Sequence, residues 1–207
     1  MIDSFTATKE IIFDTAVDMI ASVGFEKMSM RELAEAVGIK VASLYNHFTS
    51  KQEILDSIYD YYCQHMFDNR PPIKQSKRVI ESGSREEIYN AITYNFVCQD
   101  KKKHRRMVLI AKITMMRLFN DEKAKSIFLK LSYADSAAYI RELLEYGVLI
   151  GRFENFDIET YIDLLIGRAF FMGIKTFTNH DCFARYPEEE KRIGKMSMDI
   201  LPLKEYR

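Results

Sequence analysis

At 207 residues, 47% of them hydrophobic, the chain can bury a substantial core and is too long for a bare recognition module. Its 30 Lys and Arg balance 30 Asp and Glu, which excludes a global basic field and strong non-specific attraction to polyanions. No run of about 18 apolar residues spans a bilayer, and the start Met-Ile-Asp-Ser-Phe lacks a secretory leader's basic and apolar regions, so a cytoplasmic protein with no membrane partner is expected. Cys63, Cys98 and Cys182 are odd in number and far apart, and His180-Asp-Cys182 lacks a second ligand pair. Neither a disulfide framework nor a metal site is expected, and no cofactor is implied. An enzyme is not expected either: there is no Glu-x-x-His pair, no Gly-rich phosphate loop and no nucleophile with a base placed by the sequence.

Gly and Pro number only eight and four, and almost every segment follows a helical period, so the fold class is all-α, with about nine helices. A first helix ends in Ala21-Ser-Val-Gly24-Phe25. Ser29 then caps a second, with Glu32 closing a capping box; Leu33, Ala34 and Val37 share one face, and Gly38 sits where a left-handed stop is needed. A third helix starts by about Val41 and turns Leu44 and Phe48 inward, leaving Ala42, Tyr45 and Asn46 on a small, polar, uncharged outer face. Such a face suits close approach to base edges, where Asn46 has the geometry for a bidentate contact to adenine. Ser50 caps a fourth helix, which puts the Lys51 ammonium near a helix N-terminus, where phosphate is favoured.

Ile54, Leu55, Ile58, Tyr62 and Met66 continue that helix until Pro71-Pro72 forbids it, and Pro71 to Gly83 reads as a loop. Ser84-Arg-Glu-Glu87 repeats the capping box before Ile88, Ile92 and Phe96. Lys101 to Arg106 opens the next helical region as a solvated basic run, followed by Met107, Ile110, Ile113 and Leu118. A longer helix is expected from Glu122 to about Leu149, with Gly147 and Gly151 as candidate stops. Asp157 caps a helix through about Phe177, and Pro187-Glu-Glu-Glu190 opens a last one. In these two, Ile162, Leu165, Ile166, Ala169, Phe170 and Gly173 form one apolar stripe and Ile193, Met196 and Ile200 another, suited to pairing across a two-fold as a four-helix bundle.

Residues 8 to 55 resemble the DNA-binding domain of the TetR family of bacterial transcriptional regulators, with each block from Gly24-Phe25 through Ser50-Lys51-Gln52-Glu53-Ile54-Leu55 at the family's spacing. Two positions depart from the pattern: Lys40 stands where a Ser or Thr cap is usual, and Val41 where a polar residue is common. The resemblance implies an N-terminal helix-turn-helix domain over residues 1–50 and a helical effector-binding and dimerisation domain over 51–207. It makes Ser29, Tyr45, His47 and Lys51 phosphate contacts and sets Arg31, Val41, Ala42, Ser43 and Asn46 near bases or the groove wall, with Lys40 in the same DNA-facing set.

The resemblance also implies a homodimer, a pseudo-palindromic double-stranded DNA operator with half-sites about one helical turn or a small multiple apart, and a small-molecule effector that changes the spacing of the recognition helices. Tyr62, Met66, Phe96, Met115, Tyr139 and Phe170 lie on inward stripes of the middle helices and are the candidate lining residues of an apolar pocket. The expected function is that of a dimeric repressor released by a small apolar or amphipathic ligand. Control by a protein partner without any small ligand is the alternative.

Overall fold

The computed structural model describes residues 7–68, 70–93, 100–178 and 187–204, the side chains of 187–191 excepted. The described residues form an all-helical protein: α1 Ala7–Val23, α2 Met30–Val37, α3 Val41–Tyr45, α4 Lys51–His65, α5 Ile73–Ser82, α6 Arg85–Thr93, α7 Lys101–Arg117, α8 Glu122–Ile127, α9 Ser136–Leu149, α10 Ile158–Thr178 and α11 Pro187–Ile200. A π-helical stretch, Phe128–Asp135, lies between α8 and α9.

The chain separates into two compact units, residues 1–68 with 98–129 and residues 69–97 with 130–207. These units follow from which helices pack together, whereas a division at residue 50 concerns which segment would read DNA. In the first unit α1 packs on α2, α4 and α7, and α4 packs on α7 and α8. Ile12, Phe13, Leu33, Leu44, Phe48, Ile54, Leu55, Ile58 and Tyr59 are fully buried there. Each apolar side chain of this size contributes about 1.5–3 kcal/mol when removed from water.

The second unit packs α9 against α5, α6 and α10, and α11 against α6. Its interior holds Ile80, Ile88, Ile92, Leu143, Leu144, Phe153, Tyr161 and Ile162. Residues 71–83 are not a loop. Pro72 opens α5 at its N-cap, where a missing amide hydrogen costs nothing, and Ser76 and Ile80 are buried one turn apart. The helix expected from Glu122 to Leu149 is interrupted at its centre by the π-helical stretch, within which Leu131 is buried. Of the two candidate stops, Gly151 performs that role with a left-handed φ of 74°. Gly147 lies inside α9 for a different reason: a Cβ there would stand 2.2 Å from the Phe153 ring.

Candidate nucleic-acid interface

Local chemistry dictates each turn of the first unit that bears on recognition. Ser29 caps α2, its hydroxyl accepting from the Glu32 amide at 3.2 Å, while its own amide and hydroxyl donate to Glu32 Oε2 at 3.0 and 2.7 Å. These bonds, the hydroxyl's first, hold the Glu32 carboxyl below the usual range. Gly38 ends α2 in the left-handed region at φ 77°, and the Ile39 amide returns to the Ala34 carbonyl at 3.0 Å, fixing the tight turn into α3. Lys40 is the N-cap of α3 in extended backbone and supplies no side-chain cap, as its departure from Ser or Thr foretells.

Leu33, Ala34, Leu44 and Phe48 point into the core, so the opposite side of the motif faces water. Arg31, Lys40, Val41, Ala42, Tyr45 and Asn46 are exposed, and Ser43 and His47 are half-buried. Among the described residues, the side chains of Arg31, Lys40, Tyr45 and Asn46 have no hydrogen-bond or ion-pair partner, so their polar groups are open to an external one. Two of the expected phosphate contacts are already engaged. Ser29 commits both donors to Glu32. Lys51 Nζ donates to the Phe25 and Glu26 carbonyls at 3.0 and 3.3 Å and lies 4.4 Å from the Phe25 ring centre, which leaves one ammonium hydrogen for another acceptor.

The basic run at the start of α7 is not a solvated helix end but the counterpart of an acidic row on α1. Arg106, only 11% exposed, bridges Asp14 through Nε at 2.7 Å and Nη2 at 2.9 Å, and reaches Glu10 at 2.9 Å. Lys102 pairs with Glu10 at 2.8 Å and Arg105 with Asp18 at 2.6 Å. Hydrogen bonds from Lys102 and then Arg106 keep the Glu10 carboxyl below the usual range. At the other end of α7, Arg117 stacks 4.5 Å from the Phe25 ring centre, opposes Glu26 at 3.3 Å and donates to Asp121 at 3.0 Å. The sequence carries the signal for this seam, Glu10, Asp14 and Asp18 four apart on one helix face against Lys102, Arg105 and Arg106, but complementarity between helices about 90 residues apart appears only when the two rows are matched.

The remaining candidates fall in both units. Tyr62 is buried in the first unit, where Met66 and Met115 are half-buried. Tyr139 is buried in the second, and its hydroxyl is committed to Ser76 at 2.7 Å and the Pro71 carbonyl at 3.1 Å, so it braces α5 against α9. Phe170 is 37% exposed, on the surface rather than on an inward stripe. Phe96, His180, Cys98 and Cys182 lie outside the described residues.

Ile162 and Leu165 are buried within their own unit, so the outward stripe of α10 has a different phase from the expected one. Leu164 and Phe171 are each 55% exposed and Ala169 is also exposed, with Ile166 and Gly173 half-buried. On α11, Met196 and Ile200 are 56% and 58% exposed and Ile193 is half-buried. Because α10 is apolar nearly all round, its pattern alone did not fix which side would be covered by its own unit.

No described helix is long and apolar enough to cross a membrane. The first unit, with its unengaged polar face on α2 and α3, has the form of a helix-turn-helix DNA-binding domain. Residues 12–58 match the bacterial regulatory proteins of the tetR family. The chain is 25% identical over 146 residues to the HTH-type transcriptional regulator YerO of Bacillus subtilis (strain 168), a match covering 70% of this chain and 49% of that protein. It is 28% identical over 99 residues to the biofilm operon icaADBC HTH-type negative transcriptional regulator IcaR of Staphylococcus aureus (strain Newman), covering 48% of this chain and 50% of that one. The chain thus spans about half the length of these relatives. Its fold is shared with a protein from Saccharomonospora viridis solved in complex with choline, at a TM-score of 0.65 and 16% identity over 95% of this chain and 98% of that one.

Proposed function

We propose that the protein is a homodimeric, sequence-specific DNA-binding repressor of the cytoplasm, released from a pseudo-palindromic operator by a small apolar or amphipathic ligand. The observation that carries the reading is the set of polar side chains on α2 and α3, Arg31, Lys40, Tyr45 and Asn46, exposed and unengaged on a rigidly capped helix-turn-helix. Repression is supported by the negative regulator IcaR among the relatives, and ligand control by the choline-bound structural neighbour. Two copies meeting through Leu164, Ala169, Phe170 and Phe171 of α10 with Met196 and Ile200 of α11 would bury apolar surface that one chain leaves in water.

Ligand control acts as a population shift: an effector that favours the DNA-incompetent spacing lowers operator affinity by its differential affinity for the two states. Selection from a random duplex library, followed by footprinting, is expected to return a two-fold-related site, and Phe171→Glu is expected to give a monomer by sedimentation with operator affinity lost. A Phe171→Glu protein that stays dimeric and binds DNA normally would refute this interface.

Control by a protein partner is favoured by one observation, the apolar surface at the end of α7, where Phe119 is 90% and Met116 50% exposed. If no ligand in a chemically diverse set shifts operator affinity, and Phe119→Ser abolishes regulation in cells while sparing operator affinity, that reading replaces the first.

A further inference from the structure

In this protein the half-buried arginines of the first unit each face a carboxylate: Arg106 meets Asp14 and Glu10, and Arg117 meets Asp121 and Glu26. Two arginines of the second unit do not. Arg85 Nη1 donates to the Met198 and Leu201 carbonyls at 3.1 and 2.7 Å, a neutral arrangement at the C-terminal end of α11. Arg168 Nη1 donates to the Tyr89 hydroxyl at 2.7 Å, and its Nε is buried without a hydrogen-bond partner. Burial pushes the neighbouring Tyr161 phenol up while Arg168 and Arg85 pull it back, so both guanidiniums bear on the same buried ring.

An unpaired guanidinium withdrawn from water is costly, and a buried donor without an acceptor calls for a physical reason. The orientation of Arg168 supplies one. With Nη1 turned to Tyr89, the side of the guanidinium that carries Nε and Nη2 side by side is the edge that matches the two oxygens of a carboxylate. Nη2 faces Gly194 on α11, where an added Cβ would stand 3.6 Å away, in ordinary contact, so a side chain at 194 would lie against that edge. Tyr89 and Tyr161, the two phenols that Arg168 bears on, are both buried, in a unit whose interior also holds Ile88, Ile92 and Leu165.

We infer that Arg168, oriented by Tyr89 and backed by the positive charge of Arg85, is the receptor for a small organic carboxylate with an apolar body, bound through Nε and Nη2 within the second unit. The inference deepens the ligand-control reading; the role of this carboxylate as effector rests on that reading, but its binding does not.

The test uses the full chain, with sodium octanoate and sodium benzoate as probes against octanamide and benzamide at fixed ionic strength, followed by thermal shift and calorimetry. The carboxylates are expected to raise Tm and the amides not. Arg168→Met is expected to weaken carboxylate binding by about tenfold to a hundredfold, as for loss of a charge-assisted pair. Its own Tm in buffer should stay level or rise, since it removes an uncompensated charge. Tyr89→Phe, which removes the orienting hydroxyl, should weaken binding less and serves if the first variant does not fold.

Failure of both carboxylates to bind the native chain overturns the inference, as does undiminished binding by Arg168→Met or by Tyr89→Phe where it alone folds. So does loss of the dimer in Arg168→Met, for then the edge is filled by a second copy. Carboxylate binding that leaves operator affinity unchanged upholds the site and removes ligand control; a chain that selects no DNA site while binding octanoate upholds the site and removes the regulator reading.

Discussion

Two half-buried arginines of the second unit are held differently from those of the first. In the first, cations are fastened to carboxylates across helices: Lys102, Arg105 and Arg106 of α7 to the acidic row of α1, Arg117 to Glu26 and Asp121, and Lys123 to Asp56 at 2.8 Å. In the second, Arg85 and Arg168 rest on backbone carbonyls and a phenol, whereas Lys77 with Glu142 and Arg141 with Glu159 keep carboxylate partners. Charge in the first unit therefore acts as adhesive that sets α1, the α1–α2 turn and α4 in fixed relation to α7. Where the helix-turn-helix faces outward, at Arg31 and Lys40, it is left uncompensated. A neutral net charge thus conceals a division of labour, in which the acids of α1 are neutralised by α7 and do not oppose an approaching phosphate.

The largest effect that could break this contrast is expected from Arg106→Met. It takes from Asp14 its two-point partner but leaves Lys102 Nζ at 3.2 Å from Asp14 and 2.8 Å from Glu10, and with Glu10 40% exposed the loss is set below that of a fully buried pair, at about 1–3 kcal/mol. Equilibrium urea unfolding checks it, beside Arg168→Met, for which no loss is expected. Equal behaviour of the two variants would mean that the seam adds nothing to stability.

Of similar size is a change that tests whether the second unit is held by shape. Gly147→Ala drives a methyl group into the Phe153 ring, and since the Arg152 and Phe153 amides both donate to the Gly147 carbonyl, the ring has little freedom to withdraw. A cost of about 1–3 kcal/mol is expected, read as a lower thermal midpoint. An unchanged midpoint would show that Phe153 can repack at no cost.

Much of this was legible in the sequence, and the exceptions share a cause. The capping box at Ser29, the stop at Gly38 and the inward Leu44 and Phe48 are local, within a turn or two of the residues that dictate them, and the structure places them as read. What went unread depends on a distant partner. Lys51 is drawn to the Phe25 and Glu26 carbonyls. The basic run finds the acids of α1, and the covered side of α10 is decided by α9 rather than by the α10 pattern. Phe25 shows the same limit: it reads as the end of the first helix, yet its ring lies 4.4 Å from Lys51 Nζ and 4.5 Å from Arg117 Cζ, a junction no single segment encodes.

A smaller effect sharpens the contrast through pH. Burial tends to raise the Asp121 carboxyl, but bonds from the Ala124 amide, Arg117 and Tyr59 outweigh it and hold the group below the usual range. The folded form therefore binds this proton less readily than the unfolded chain. Its contribution is present above the ordinary carboxylate range, about pH 4, and is lost as pH falls through the lower folded value. Asp121→Asn is expected to cost about 1–2 kcal/mol at pH 7, with the difference from the native chain shrinking as pH falls toward about 3. A difference independent of pH across that window would show that the carboxylate's charge is not what Arg117 and Tyr59 recognise.

The smallest expected change concerns Lys40, where stability and recognition pull apart. It occupies the N-cap of α3 at φ −68° and ψ 144°, a conformation that suits a capping side chain, yet a lysine has no acceptor to offer the first turn. Lys40→Ser should supply that acceptor and stabilise the fold by about 0.5–1 kcal/mol, within the range measured for such caps. If the lysine is kept for its charge, the same substitution weakens binding to every duplex by a similar factor and lowers the slope of log affinity against log salt by about one unit, because one phosphate is no longer neutralised. Thermal unfolding and a salt titration of operator binding measure the two halves separately. A more stable variant with unaltered affinity and slope would take Lys40 out of the DNA-facing set and leave Arg31 to carry the positive charge of that face. A less stable one would show that its aliphatic stem packs on the turn, so that the departure from the family's cap is structural.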